Sequence, residues 1–171
     1  MKEVTIFTDA SVHPQSKIGV GGYILLENEL SYLINIPTQT DDLKNNVQLL
    51  FFENTSSTKA EIQTILSILE QISNSDFANL KINVCTDSQG ITSLINRKSK
   101  LLENDYKSKT GKLFKNEELY RLFYEYEKKL NLNFVKIKGH SPSSQKDNLQ
   151  VIFAVVDKFV RRKLKEIIKE I

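Results

Sequence analysis

Val4-Thr5-Ile6-Phe7-Thr8-Asp9 and Ile82-Asn83-Val84-Cys85-Thr86-Asp87 are two versions of one short pattern, and their reading decides the fold. Each is an apolar, β-branched run of buried-strand type that meets its first acid at its carboxyl end. In open α/β sheets, ligands gather at the carboxyl ends of strands. Two such strands, parallel and adjacent, would bring Asp9 and Asp87 close together. Taken singly, either aspartate also suits a helix N-cap or a turn. Clustered carboxylates repel, so holding them ionised takes a cation such as Mg²⁺ or Mn²⁺, which favour hard oxygen ligands.

Outward from these runs the chain alternates strands and helices. Strands are expected at Ile18 to Leu26, Tyr32 to Ile36, Val47 to Phe52 and Asn133 to Ile137, with a polar loop from Pro37 to Asn46. A helix starts at Ser57 or Thr58, where Ile62, Ile65, Leu66 and Leu69 recur at helical spacing. Glu61, three residues after Thr58, would serve as the acid of a capping box. Further helices follow Asp87, span Glu117 to Leu130, and run from Asn148 to the C-terminus. Antiparallel strands first and β-α-β units later predict a mixed α/β sheet in one domain, 1–171.

Composition bounds the function. Forty per cent apolar and 26% charged residues is ordinary for a soluble globular chain. The net charge of +3 is unevenly spread. Between Ile95 and Asn116, seven basic residues (Arg97, Lys98, Lys100, Lys107, Lys109, Lys112, Lys115) face only Glu103 and Asp105. A second basic excess lies beyond Asp157, so the remainder is net negative. Such asymmetry suits either a surface facing a polyanion or two solvated helix faces. One cysteine excludes an intramolecular disulfide and fits a reducing compartment. No signal peptide or membrane-length apolar run is visible, so a cytoplasmic, monomeric protein is expected.

The last helix carries an apolar stripe of Leu149, Phe153, Val156, Val160, Leu164, Ile167 and Ile171. At about 100° per residue, Asp157 projects at the edge of that stripe, about 50° from its centre, and Asp147 well away from it. An acid directed toward a core needs a partner: a salt-bridging Arg or Lys, or a metal.

With these residues in place the chain resembles type 1 ribonuclease H, of the ribonuclease H-like superfamily. The resemblance is carried by Phe7-Thr8-Asp9-Ala10-Ser11, Gly21-Gly22-Tyr23, Ser57-Thr58-Lys59-Ala60-Glu61, Thr86-Asp87-Ser88-Gln89, Val135-Lys136-Ile137-Lys138-Gly139-His140 and Val156-Asp157-Lys158, in the family's order along nearly the whole chain. It implies a five-stranded mixed sheet flanked by helices and a carboxylate set of Asp9, Glu61, Asp87 and Asp157. The implied chemistry is hydrolysis of the RNA strand of an RNA–DNA hybrid, leaving a 5′-phosphate. Two Mg²⁺ or Mn²⁺ ions about 4 Å apart would activate water and stabilise the leaving oxygen. By the same resemblance Asp9 bridges both ions, Asp157 holds the ion of the attacking water, and Glu61 and Asp87 hold the other. His140 assists proton transfer or product release. Ser11, Ser57, Thr58, Ser88 and Gln89 line the minor groove, where 2′-hydroxyls distinguish RNA from DNA. Arg97, Lys98 and Lys100 begin a basic protrusion that grips the DNA strand, with Tyr106 and Phe114 as its aromatic packing.

Several departures from the family pattern stand out. Asp-Ala-Ser replaces Asp-Gly-Ser, and Ser57-Thr58 replaces an Asn pair. About a dozen residues are added between the Gly-Gly-Tyr strand and Glu61. His140 and Asp157 lie seventeen positions apart, where about ten is usual, and this leaves Asp147 as a second candidate for the fourth carboxylate. Alternative readings are a superfamily DNA nuclease, such as a resolvase or transposase core, and a non-catalytic nucleic-acid-binding module. A haloacid-dehalogenase-like phosphatase would need a second aspartate at position 11, which is Ser11.

Overall fold

The computed structural model describes residues 2–139 and 141–171. Five strands, β1 (Glu3–His13), β2 (Ile18–Leu26), β3 (Gln48–Phe52), β4 (Lys81–Thr86) and β5 (Asn131–Lys136), form one sheet in the order β3-β2-β1-β4-β5. β1, β2 and β3 are antiparallel neighbours, whereas β4 and β5 run parallel to β1. β1 is therefore the strand at which the antiparallel and parallel halves meet. The helices are α1 (Leu30–Asn35), α2 (Ser57–Ser73), α3 (Gln89–Thr92), α4 (Leu94–Glu103), α5 (Glu117–Lys129) and α6 (Asn148–Lys169). Among the described residues, no helix is long and apolar enough to cross a membrane.

Alternation along β1 splits the core into two layers, because successive side chains point to opposite faces of a sheet. Val4 and Ile6 join Ile62, Ile65, Leu69 and Phe123 beneath α2 and α5. Phe7 faces the other way, with Ile152, Val156 and Val160 of α6. The apolar stripe on α6 is buried at Leu149, Phe153, Val156, Val160 and Leu164, but Ile171 at its end is 77% exposed. The Gly21-Gly22 pair lets both layers approach β2 closely. A Cβ on Gly21 would lie 2.1 Å from Thr64 Oγ1 of α2, and one on Gly22 would lie 2.6 Å from Val160 of α6.

Two expectations are corrected. Tyr32 to Ile36 is not a strand: Leu30–Asn35 is a short helix packed on α6 through buried Leu33. Its β-branched, apolar residues read as a strand, yet Leu33 is its one buried side chain, which suits a single helical turn. The segment taken as loop contains a helical turn at Leu43–Asn46, whose Leu43 is also buried against the α6 layer. The added residues before β3 thus cover one side of α6, and Asn148 at its start donates to the Ile34 carbonyl at 2.8 Å. β1 also runs past Asp9 to His13, because β2 continues to pair with it.

Gly21→Ala forces its methyl into Thr64, which lies on the buried face of α2. The expected cost is about 1–3 kcal/mol, seen as a lower urea midpoint at unchanged slope. A second change, Thr64→Ala, should restore part of the loss.

Candidate active site

The parallel ladder of β1 and β4 ends at the pair Phe7 and Cys85. Two residues further along each strand come Asp9 and Asp87. Both line one small concavity, together with Glu61 of α2 and Ser88. Asp157 enters from α6, on the other face of the sheet, and its carboxyl is hydrogen-bonded to that of Asp9. The four acids form a chain in space, with Asp157 against Asp9, Asp9 beside Asp87, and Asp87 beside Glu61.

Electrostatics follow from this packing. Burial, the hydrogen bond with Asp157 and the charges of Asp87 and Asp157 push the Asp9 carboxyl up to about 9, against a small opposing effect of the Ala10 N–H. Burial and the Asp87 charge also raise Glu61, while the Ser88 hydroxyl and Lys136 oppose them. Two cations sit at the edges. Arg161, one helical turn beyond Asp157, holds it at 2.9 Å. The Lys136 ammonium donates to the Asp87 carbonyl. Asp157 thus has a salt-bridging partner in Arg161, and its carboxyl also faces Asp9. Among the described residues, no three acidic, histidine or cysteine side chains already converge as a ready-made metal cage.

The mundane alternatives fare differently. Ser56 is the N-cap of α2 and accepts from Lys59 N at 3.2 Å, so Glu61 lies beyond the capping box it was taken to close. The N-cap of α3 is Ser88, which leaves Asp87 outside that role. Asp147 does cap. It accepts from Gln150 N at 2.8 Å, and Gln150 Oε1 accepts from Asp147 N at 2.9 Å, a reciprocal box that starts α6. Its carboxylate is thereby committed at the helix end.

Ser11, Ser57, Thr58 and Gln89 keep at least part of their surface toward solvent around the acids. Ser88 departs from the minor-groove expectation. It is 7% exposed, and its hydroxyl donates to Glu61 Oε2 at 2.7 Å while accepting from Ile91 N. Lys98 is paired with Glu127 at 3.4 Å and lies over the Tyr124 ring. Arg97 and Lys100 line a concavity with Lys107, Lys109 and Phe114, and Tyr106 is buried beneath Arg121. His140 lies outside the described residues.

Sequence reasoning missed Arg161, Lys136 and Gln150. Arg161 was legible as the i+4 neighbour of Asp157, and Gln150 as the third residue after a capping aspartate. Gln150 does more than cap: its buried amide donates to the Lys138 carbonyl and to Ser141 Oγ, tying down positions on both sides of 140. Gly139 lies so near Asp87 that a Cβ there would come within 2.9 Å of Oδ2.

A mixed five-stranded sheet with acids just beyond the point where the parallel pairing of β1 and β4 ends, and a further acid on each of α2 and α6, defines a nuclease-like α/β architecture. The chain belongs to the RNase H family, whose model matches residues 1–164. It is 30% identical over 145 residues to a ribonuclease H of Caldicellulosiruptor saccharolyticus, covering 82% of this chain and 86% of the relative. A ribonuclease H of Clostridium botulinum is 27% identical over 146 residues, with the same coverage. In fold it is similar to the crystal structure of LC9-RNase H1, a type 1 RNase H with the type 2 active-site motif (TM-score 0.68, 12% identity, 95% of this chain and 72% of that one).

The raised Asp9 carboxyl makes the metal-free protein pH-sensitive. Below the ordinary carboxylate range both folded and unfolded chains hold this proton. From there up to about 9 only the folded chain does, so stability falls as pH rises. Asp9→Asn should therefore be more stable than the parent at pH 8, by on the order of a few kcal/mol, with the gap closing toward pH 4 in thermal melts. Asp147→Ala should cost about 1 kcal/mol through loss of the cap, whereas Asp147→Asn, an equally good cap, should cost little.

Proposed function

We propose that this protein hydrolyses the RNA strand of RNA–DNA hybrids, with Asp9, Glu61, Asp87 and Asp157 as the carboxylates that hold two Mg²⁺ or Mn²⁺ ions. The observation that carries this reading is the half-buried Asp9 between Asp157 and Asp87. Such a group is content either protonated or against a cation, and hard oxygen donors suit Mg²⁺ and Mn²⁺. When bound, the ions would supply activation of the attacking water and stabilisation of the leaving 3′-oxygen. Asp9, between the neighbouring acids, would hold the ions from the middle of the set. Glu61 and Asp87 would complete one side and Asp157 the other. Ser88 acts through Glu61, holding its carboxylate in place. Arg161 and Lys136 balance the acids' charge at the edges. Ser11, Ser57, Thr58 and Gln89 would meet 2′-hydroxyls, and Arg97 and Lys100 would meet phosphates of the paired strand. Proton transfer or product release is assigned to His140.

The test incubates the protein with labelled RNA–DNA hybrid, double-stranded RNA and double-stranded DNA, with and without Mg²⁺. Metal-dependent cutting of the RNA strand of the hybrid alone is expected; cutting of duplex DNA instead would favour a DNA nuclease of the same superfamily. Asp87→Asn and Asp157→Asn should each lower kcat by more than the roughly 10–100-fold typical of residues that only support a metal ligand. Asp147→Asn should keep full activity, and its loss there would reverse the assignment of the fourth carboxylate.

A further inference from the structure

Two segments, the one before β3 and the one before α6, meet at one place. Beside the carboxylates lie two open concavities of about 420 Å³ each. The first reaches from Asp87 and Asp157 past Lys138 and Lys146 to Arg161. The second continues from Lys146 and Arg161 to Lys158 and to Lys44 of the added segment. They share Lys146, Ala154, Asp157 and Arg161, so together they make one track leading out of the acid cluster. Among the described residues lining it, the acids are the two belonging to that cluster, whereas the cations come from four separate parts of the chain. Lys44 has a further partner in Asp41 at 3.5 Å, but both are exposed, and such a pair is held weakly.

We propose that this track binds backbone phosphates of the strand being cut, next to the scissile one. The inference rests on the hydrolase reading above. The continuity of the track with Asp157 selects the occupant: a chain whose phosphate lies at Asp9 and Asp157 must leave the site along one of its open sides, and this side is lined with cations. The track lies on the α6 face of the sheet, whereas the basic segment containing Arg97 and Lys100 packs through Leu94 and Leu101 on the opposite face. The two basic surfaces therefore serve different stretches of the substrate. Lys44 and Lys146 are the contributions of the added segments, and neither touches the acids.

The test compares the parent with the double variant Lys44→Ala, Lys146→Ala. Binding of a labelled hybrid is followed by fluorescence anisotropy without divalent ion across a KCl series, and cleavage kinetics are measured with Mg²⁺. Removing two phosphate contacts should lower the slope of log Kd against log[KCl] by about 1.5–2 and raise KM roughly 10-fold near physiological salt. The kcat should stay unchanged, and the difference should vanish on a hybrid too short to extend beyond the carboxylates. Equal slope and equal KM in parent and variant would overturn the inference. A parent that binds the hybrid but never cuts it would defeat the hydrolase reading, and the binding slopes would still decide whether the track holds phosphates.

Discussion

Parallel pairing of β1 with β4 is the constraint on which the rest of the structure depends. It holds two strands in the register Phe7 to Cys85, and the residues that follow bring Asp9 and Asp87 together at the sheet's carboxyl end. A one-residue slip would turn each strand's buried set outward, so the hydrophobic alternation that builds the two core layers also fixes the relation of the acids. Packing, not affinity between the acids, holds them together. Left to themselves, they would separate.

Each neighbour of the cluster then manages the resulting repulsion. Asp157 and Asp9 are joined by a hydrogen bond, Arg161 stands behind Asp157, Ser88 donates to Glu61, and Lys136 is anchored on the Asp87 carbonyl. These contacts offset part of the repulsion among the four acids. The Gly-Gly pair of β2 has a related purpose, since it brings α2 and α6, which carry Glu61 and Asp157, close to the sheet from opposite faces.

Much of the candidate site was legible in the chain. Asp9 and Asp87 announce themselves as acids ending buried runs, and the helical stripe separates Asp157 from Asp147 because helical rotation is regular. Glu61 was ambiguous, since a capping-box glutamate and a ligand carry the same side chain at the same kind of place. Only the placement of Ser56 as the cap removed the first reading. The resemblance gives Ser88 and Lys98 outward roles, yet a hydroxyl beside the half-buried Glu61 and a lysine beside Glu127 find nearer partners inside the protein. Short apolar runs were the weakest signal. Tyr32 to Ile36 has strand-like composition, and its helical state depends on docking Leu33 against α6.

The sequence by itself determined the alternation of strands and helices, the strand-end acids and the inward bias of Asp157, because these follow from local periodicity and from the cost of placing a charge beside a core. The tertiary structure alone decided what those acids face. Asp157 of α6 meets Asp9 of β1, and Lys44 and Lys146 line one concavity beside α6. Those partners are far apart along the chain, so their meeting is set by the packing of helices on the sheet, which no local pattern encodes.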